Sequence, residues 1–214
     1  MQNTPARSRT RTLAGVAAAL ILIVFGVAAA AQGLNGRATV RDALSLEHVK
    51  GEAGMTPAGI AAKAKAAGLT GVELPSCSVA GQAVDNGTDA RCFAQYMRVD
   101  ALVATGGKTY AQMPRFATED GKGTGNPALA QKMPNGQPMN NPARQVWVTE
   151  TALSTALNTS YMAEQISLFG IAVGAAFLLV GLAIGAFALA GVALPKLLPA
   201  VARSPRAKKV TQTA

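Results

Sequence analysis

The sequence predicts a mainly α-helical membrane protein, with two transmembrane helices and a small helical extracytoplasmic domain between them. Three observations predict it. An uncharged apolar run lies near each end of the 214-residue chain, basic residues flank both runs, and the only two cysteines, Cys77 and Cys92, fall between them. The expected order is a basic cytoplasmic tail (1–12), a first membrane helix (13–34), an extracytoplasmic segment (35–165), a second membrane helix (166–194) and a second basic tail (195–214).

The net charge of +9 is concentrated in the tails. Arg7, Arg9 and Arg11 precede the first run, and Lys196, Arg203, Arg206, Lys208 and Lys209 follow the second, with no acid in either tail. The rest of the chain is nearly neutral. A nucleic-acid-binding domain gathers its basic residues on a folded surface. Here they flank apolar segments, as the positive-inside rule describes, so the expected partner is a bilayer with anionic headgroups and not a nucleic acid. Both termini are then cytoplasmic and the middle lies outside the plasma (inner) membrane.

Residues 13–31 (LAGVAAALILIVFGVAAAA) are long enough to cross a hydrocarbon core of about 30 Å. Residues 166–194 are longer and also uncharged, which requires tilt or protrusion. The first run has a second reading. A basic start, an apolar stretch and Ala29-Ala30-Ala31 before Gln32 also fit a cleavable signal peptide; either way the middle is exported. Both runs carry small residues at one spacing. Gly15, Ala19, Gly26 and Ala30 step by four, seven and four, and Gly170, Gly174, Gly181 and Gly185 do the same. At 100° per residue each set falls in a stripe about 60° wide. Such stripes let backbones approach in lipid, so they are the expected helix-packing residues. The partner can be the protein's own other helix, a second copy or another membrane protein.

In the exported segment, residues 38–50 are expected to continue the first helix outward. Thr56-Pro57 predicts a helix start and Gly68 its stop. Residues 71–75 (GVELP) read as short and extended. Thr88 or Asp89 is expected to cap a helix to about Thr105, stopped by Gly106-Gly107. On it Cys92, Tyr96, Val99 and Val103 share a face with Phe93 beside them, Arg91, Gln95 and Arg98 lie opposite, and Asp100 falls towards the apolar side as a salt-bridge or capping partner. Residues 117–143, rich in Gly, Pro and Asn, read as a long ordered loop or a mobile linker. From about Arg144 one helix is expected to run into the second membrane segment.

The exported segment has few large side chains, so a covalent staple would help its core. Cys77 and Cys92 would close a loop worth about 3 kcal/mol on the chain-entropy model; the alternative is two buried thiols. The single histidine, His48, makes a poor metal site alone, and HExxH, Walker and GxSxG motifs do not occur. Gly106-Gly107-Lys108-Thr109 lacks the upstream glycine and strand of a phosphate loop and reads as a helix stop. No catalytic, metal or cofactor residues are expected.

CFAQYMRVDALVATGGKTYAQMPRF (92–116) and VWVTETALSTALNTSYMAEQISLFGIAVG (146–174) resemble a family of uncharacterised actinobacterial two-helix membrane proteins, over roughly residues 55–189. Its members are sometimes labelled aromatic ring-opening dioxygenases. A non-haem iron site of that kind takes two histidines and a carboxylate, and this chain offers only His48. The resemblance supplies no catalytic residues. The expected role is a non-enzymatic accessory or structural component of the cell envelope or of a membrane complex, in contact with another membrane protein or a second copy. An extracytoplasmic sensing domain signalling through the second helix is the alternative, and a membrane-anchored enzyme comes third.

Overall fold

The computed structural model describes the backbone of residues 5–197 and the side chains of residues 10–190; of the tail cations only Arg11 falls within that side-chain range. The described residues form four α-helices and one 3-10 turn: α1 (Pro5–Leu46), α2 (Pro57–Ala66), α3 (Gly87–Ala104), the turn Tyr110–Gln112, and α4 (Pro142–Leu197). The protein is mainly helical, without a strand among the described residues.

Nothing in the 42 residues of α1 breaks a helix. Pro5 sits at its first position, where a missing N–H costs nothing. The glycines inside it are tolerable in lipid because an unbroken helix satisfies its own backbone. It ends at Leu46, and two residues further on His48 takes a φ of 50°. The 56-residue α4 is longer than a bilayer requires, about 84 Å at 1.5 Å per residue. Both α1 and α4 are long and apolar enough to cross a membrane, with windows of mean hydropathy 2.6 and 2.4, only 11% buried in each case. That low burial separates them from the core helices of a soluble protein.

The chain divides into two compact units, residues 1–31 with 171–214, and residues 32–170. In the first unit the two helices pack antiparallel. Their outward positions are large and apolar: Leu20, Ile21, Val24 and Phe25 of α1, and Leu179, Val180, Leu182 and Phe187 of α4, are all at least half exposed. This is the inverse of a soluble bundle, with small residues inside and bulk outside, as a lipid environment demands.

The second unit is built around α3. Its start differs from expectation: the cap is Asn86, not Thr88 or Asp89, and its side-chain oxygen accepts the Asp89 N–H at 3.0 Å. Asn is among the best caps because its short side chain reaches back to the helix's unpaired donors. Helix α2 starts at the predicted pair, with the Thr56 hydroxyl accepting the Gly59 N–H at 3.0 Å. Gly68 (φ 67°) follows it in the left-handed region that only glycine adopts freely. The GVELP stretch pairs with no strand.

Residues 113–141 are an ordered loop. Phe116 bridges both Thr124 and Asn140, Lys132 bridges Pro138, and the Phe116 side chain is buried. The Asp120 carboxylate accepts from the Thr118 hydroxyl and the Lys122 N–H, and these bonds hold its pKa below the usual carboxylate range. The loop ends at Asn141, whose side chain accepts the Ala143 N–H at 3.0 Å, so α4 begins two residues before Arg144.

Candidate functional site

Cys77 and Cys92 are joined in a disulfide, with Cα atoms 6.1 Å apart. It ties the segment after GVELP to the first turns of α3. Cys92, Tyr96 and Val99 pack with Met55, Ile60, Ala64 and Val79 in one core cluster. The Tyr96 ring is fully buried, its hydroxyl donates to the Cys77 carbonyl at 2.6 Å, and burial pushes its phenol pKa up. Asp100 pairs with Lys63 of α2 at 2.6 Å.

The opposite side of α3 is also covered, which the sequence reading missed. Gly87, Ala90, Ala94 and Ala101 are buried and fall within a stripe about 60° wide at 100° per residue. Arg91 and Arg98, read from the sequence as lying opposite the apolar face, sit over the rings of Tyr161 and Trp147 of α4, at 4.7 and 5.4 Å. Trp147 donates to the Lys108 carbonyl at 2.8 Å, just past the end of α3. Alanine carries too weak a hydropathy signal to announce a second buried face.

One buried charge joins three elements. Glu164 of α4 is 4% exposed. One of its carboxylate oxygens pairs with Arg37 Nε of α1 at 3.2 Å, and the other accepts the Gly87 N–H at the start of α3 at 2.7 Å. Gly87 is required there, since a Cβ would lie 2.7 Å from the Tyr161 Cα. Nearby, Ser167 is buried and packs against Gly36.

In the first unit the small residues predicted from spacing meet each other. A Cβ on Gly174 would lie 2.6 Å from Ala30 N and 2.7 Å from Gly26 O, and one on Gly26 would lie 2.8 Å from Gly174 O. A Cβ on Gly181 would lie 3.0 Å from Ala19 O. Nearer the chain ends, one on Gly185 would lie 3.5 Å from Ala19 Cβ, and one on Gly15 would lie 3.1 Å from Ala188 Cβ. Gly26, Gly174, Gly181 and Ala19 are buried. Gly170 lies in the second unit and is half-buried. The stripe of each helix in this unit is filled by the other helix of the same chain.

Other candidate chemistry is sparse. His48 is exposed, and among the described residues no group of three or more His, Cys, Asp or Glu side chains is placed to hold a metal. A polar cavity of about 440 Å³ sits at the start of α4, lined in part by Tyr110, Arg115, Asn140 and Arg144. No family model, curated protein or solved structure matches the chain.

Proposed function

We propose that this protein is a non-enzymatic accessory or structural component of the cell envelope or of a membrane complex, in which a two-helix hairpin mounts an exported, disulfide-stapled unit. The observation that carries the reading is the glycine–alanine seam. Gly26, Ala30, Gly174 and Gly181 bring two backbones into van der Waals contact within one chain, where close packing replaces the absent hydrophobic drive between helices in lipid. A hairpin fastened in this way suits an anchor. It suits less well a receptor whose second helix must slide or turn to pass a signal.

The charge pattern supports cytoplasmic termini at a plasma (inner) membrane and an extracytoplasmic unit of residues 35–165. The disulfide supports the same side, since such bonds persist in oxidising compartments. Because α1 occupies the seam, a second membrane protein or a second copy would meet the lipid-facing sides of the hairpin or the exported unit. The test is native co-purification from gently solubilised membranes, read by mass spectrometry. A membrane protein recovered in fixed proportion with this chain, or a stable homo-oligomer, is the expected result. Recovery of the lone monomer would overturn the proposal.

A further inference from the structure

The cavity at the start of α4 has the chemistry of an anion site. Its lining includes Tyr110, Arg115, Asn140, Asn141, Arg144 and Gln145, and no carboxylate. Arg144 Nε is buried and has no hydrogen-bond partner, and a buried donor left unpaired costs free energy. The guanidinium lies 3.8 Å from the centre of the Tyr110 ring, and this stacking fixes its plane. Arg115 is held over Phe116 at 5.1 Å, and among the described residues neither arginine has a carboxylate partner. Nor does any described hydrogen bond use the side-chain amides of Asn140 or Gln145. Asn141 takes up the first N–H groups of α4, through Ala143 and Arg144. The helix therefore adds its dipole rather than its donors.

We infer that this cavity binds a phosphate group, as free phosphate or as the monoester of a small organic molecule. Two guanidinium groups lining one cavity supply the charge-assisted donors that suit a tetrahedral oxyanion. Their charge, with about half a positive charge from the helix end, balances a group carrying about −1.5 to −2 at neutral pH. A carboxylate would leave one fork unused. The volume exceeds that of the phosphate alone, which leaves room for an organic substituent beside Tyr110. A bilayer headgroup is the wrong source, because Arg144 precedes Ile166 by about 33 Å of helical rise. The site stands on its own observations, so it can fail while the accessory role holds, and the reverse.

The test uses the full chain in maltoside micelles, which contain no phosphorus, and follows inorganic phosphate and glycerol 3-phosphate by phosphorus NMR. Saturable broadening is expected for both if the source is free phosphate, and tighter binding of glycerol 3-phosphate if it is an organic monoester. Arg144→Gln and Arg115→Gln should each weaken binding roughly tenfold or more, the scale of losing a charge-assisted contact. Arg41→Gln, at an exposed position of α1, should leave it unchanged. Arg144→Lys keeps the charge without the fork and should also weaken binding. A thermal melt of each variant confirms folding, and if Arg144→Gln does not fold, Arg115→Gln decides. Absence of saturable binding, retained binding in the folded glutamine variants, or equal displacement of phosphate by acetate at matched ionic strength would overturn the assignment.

Discussion

Glu164 shows how a charge can sit inside this protein at an acceptable cost. Taking a carboxylate out of water costs several kcal/mol unless its oxygens are satisfied. Here both are used, one by Arg37 and one by the Gly87 N–H, and the positive end of α3 adds to the field. The Arg37 side chain is still 33% exposed, so most of the desolvation falls on the glutamate alone. Tyr96 carries the opposite balance, a neutral group held neutral. Its raised pKa means the folded form resists ionisation. Its contribution is complete below the unfolded value of about 10 and is lost as pH rises from there through the folded value. A phenolate absorbance titration of the full chain should show a component above that range, coinciding with unfolding, and Tyr96→Phe should delete it. Loss of the hydroxyl's bond to Cys77 O should also cost about 1 kcal/mol near neutral pH. A late component that survives Tyr96→Phe would show that the phenol responsible lies elsewhere. Cys92, Tyr96 and Val99 were legible in the sequence because large residues repeat on one helical face. Glu164 was not, because its partner Arg37 lies 127 residues away, and neither neighbourhood marks the pair.

Helices were legible wherever local chemistry decides them. The Thr56-Pro57 start, the glycine stops and the unbroken run into the second membrane segment all follow from rules that act within a few residues. The cap of α3 was misread because Asn86, Thr88 and Asp89 all suit the role, and only tertiary contact selects Asn86. The second face of α3 was missed because Gly87, Ala90, Ala94 and Ala101 become a contact surface only once α4 lies against them. The seam between α1 and α4 was half legible: spacing identified its residues, but not which helix fills it. Cysteines at Ala19 and Gly185 test that pairing, because their Cβ positions lie 3.5 Å apart, within the span of a disulfide. Oxidation should cross-link them within one chain, without a dimer-sized product. Adding Gly174→Leu with Gly181→Leu should abolish that cross-link and lower the melting temperature, since each new side chain meets backbone at 3.0 Å or less. Leucines at the exposed Ala175 and Ala183 should do neither. A dimer-sized cross-link, or equal effects of both pairs, would show that the stripe meets another molecule or carries no packing role.

For the whole molecule, the choice between anchor and signal peptide turns on what fills the seam. Cleavage after Ala31 would remove the residues of α1 that face Gly174 and Gly181, and would leave a glycine face of α4 against acyl chains that gain nothing from it. It would also sever a continuous helix between Ala31 and Gln32. The proposed hairpin therefore requires that α1 be retained, and with two spans the tails at both ends would share one side. Intact-protein mass spectrometry should find the first apolar run still attached. Membrane-impermeant thiol labelling of whole cells should modify single cysteine reporters placed in the loop at 117–143. Reporters at 205–214 should react only after the cells are opened. A mature chain starting near Gln32 would end the hairpin reading, and labelling of 205–214 with protection of the loop would invert the orientation. If the N-terminal run is retained and the loop alone is labelled, the basic tails lie on the cytoplasmic side. There their cations face anionic headgroups, each worth about 1 kcal/mol near the surface, and hold both ends of the hairpin on the same side.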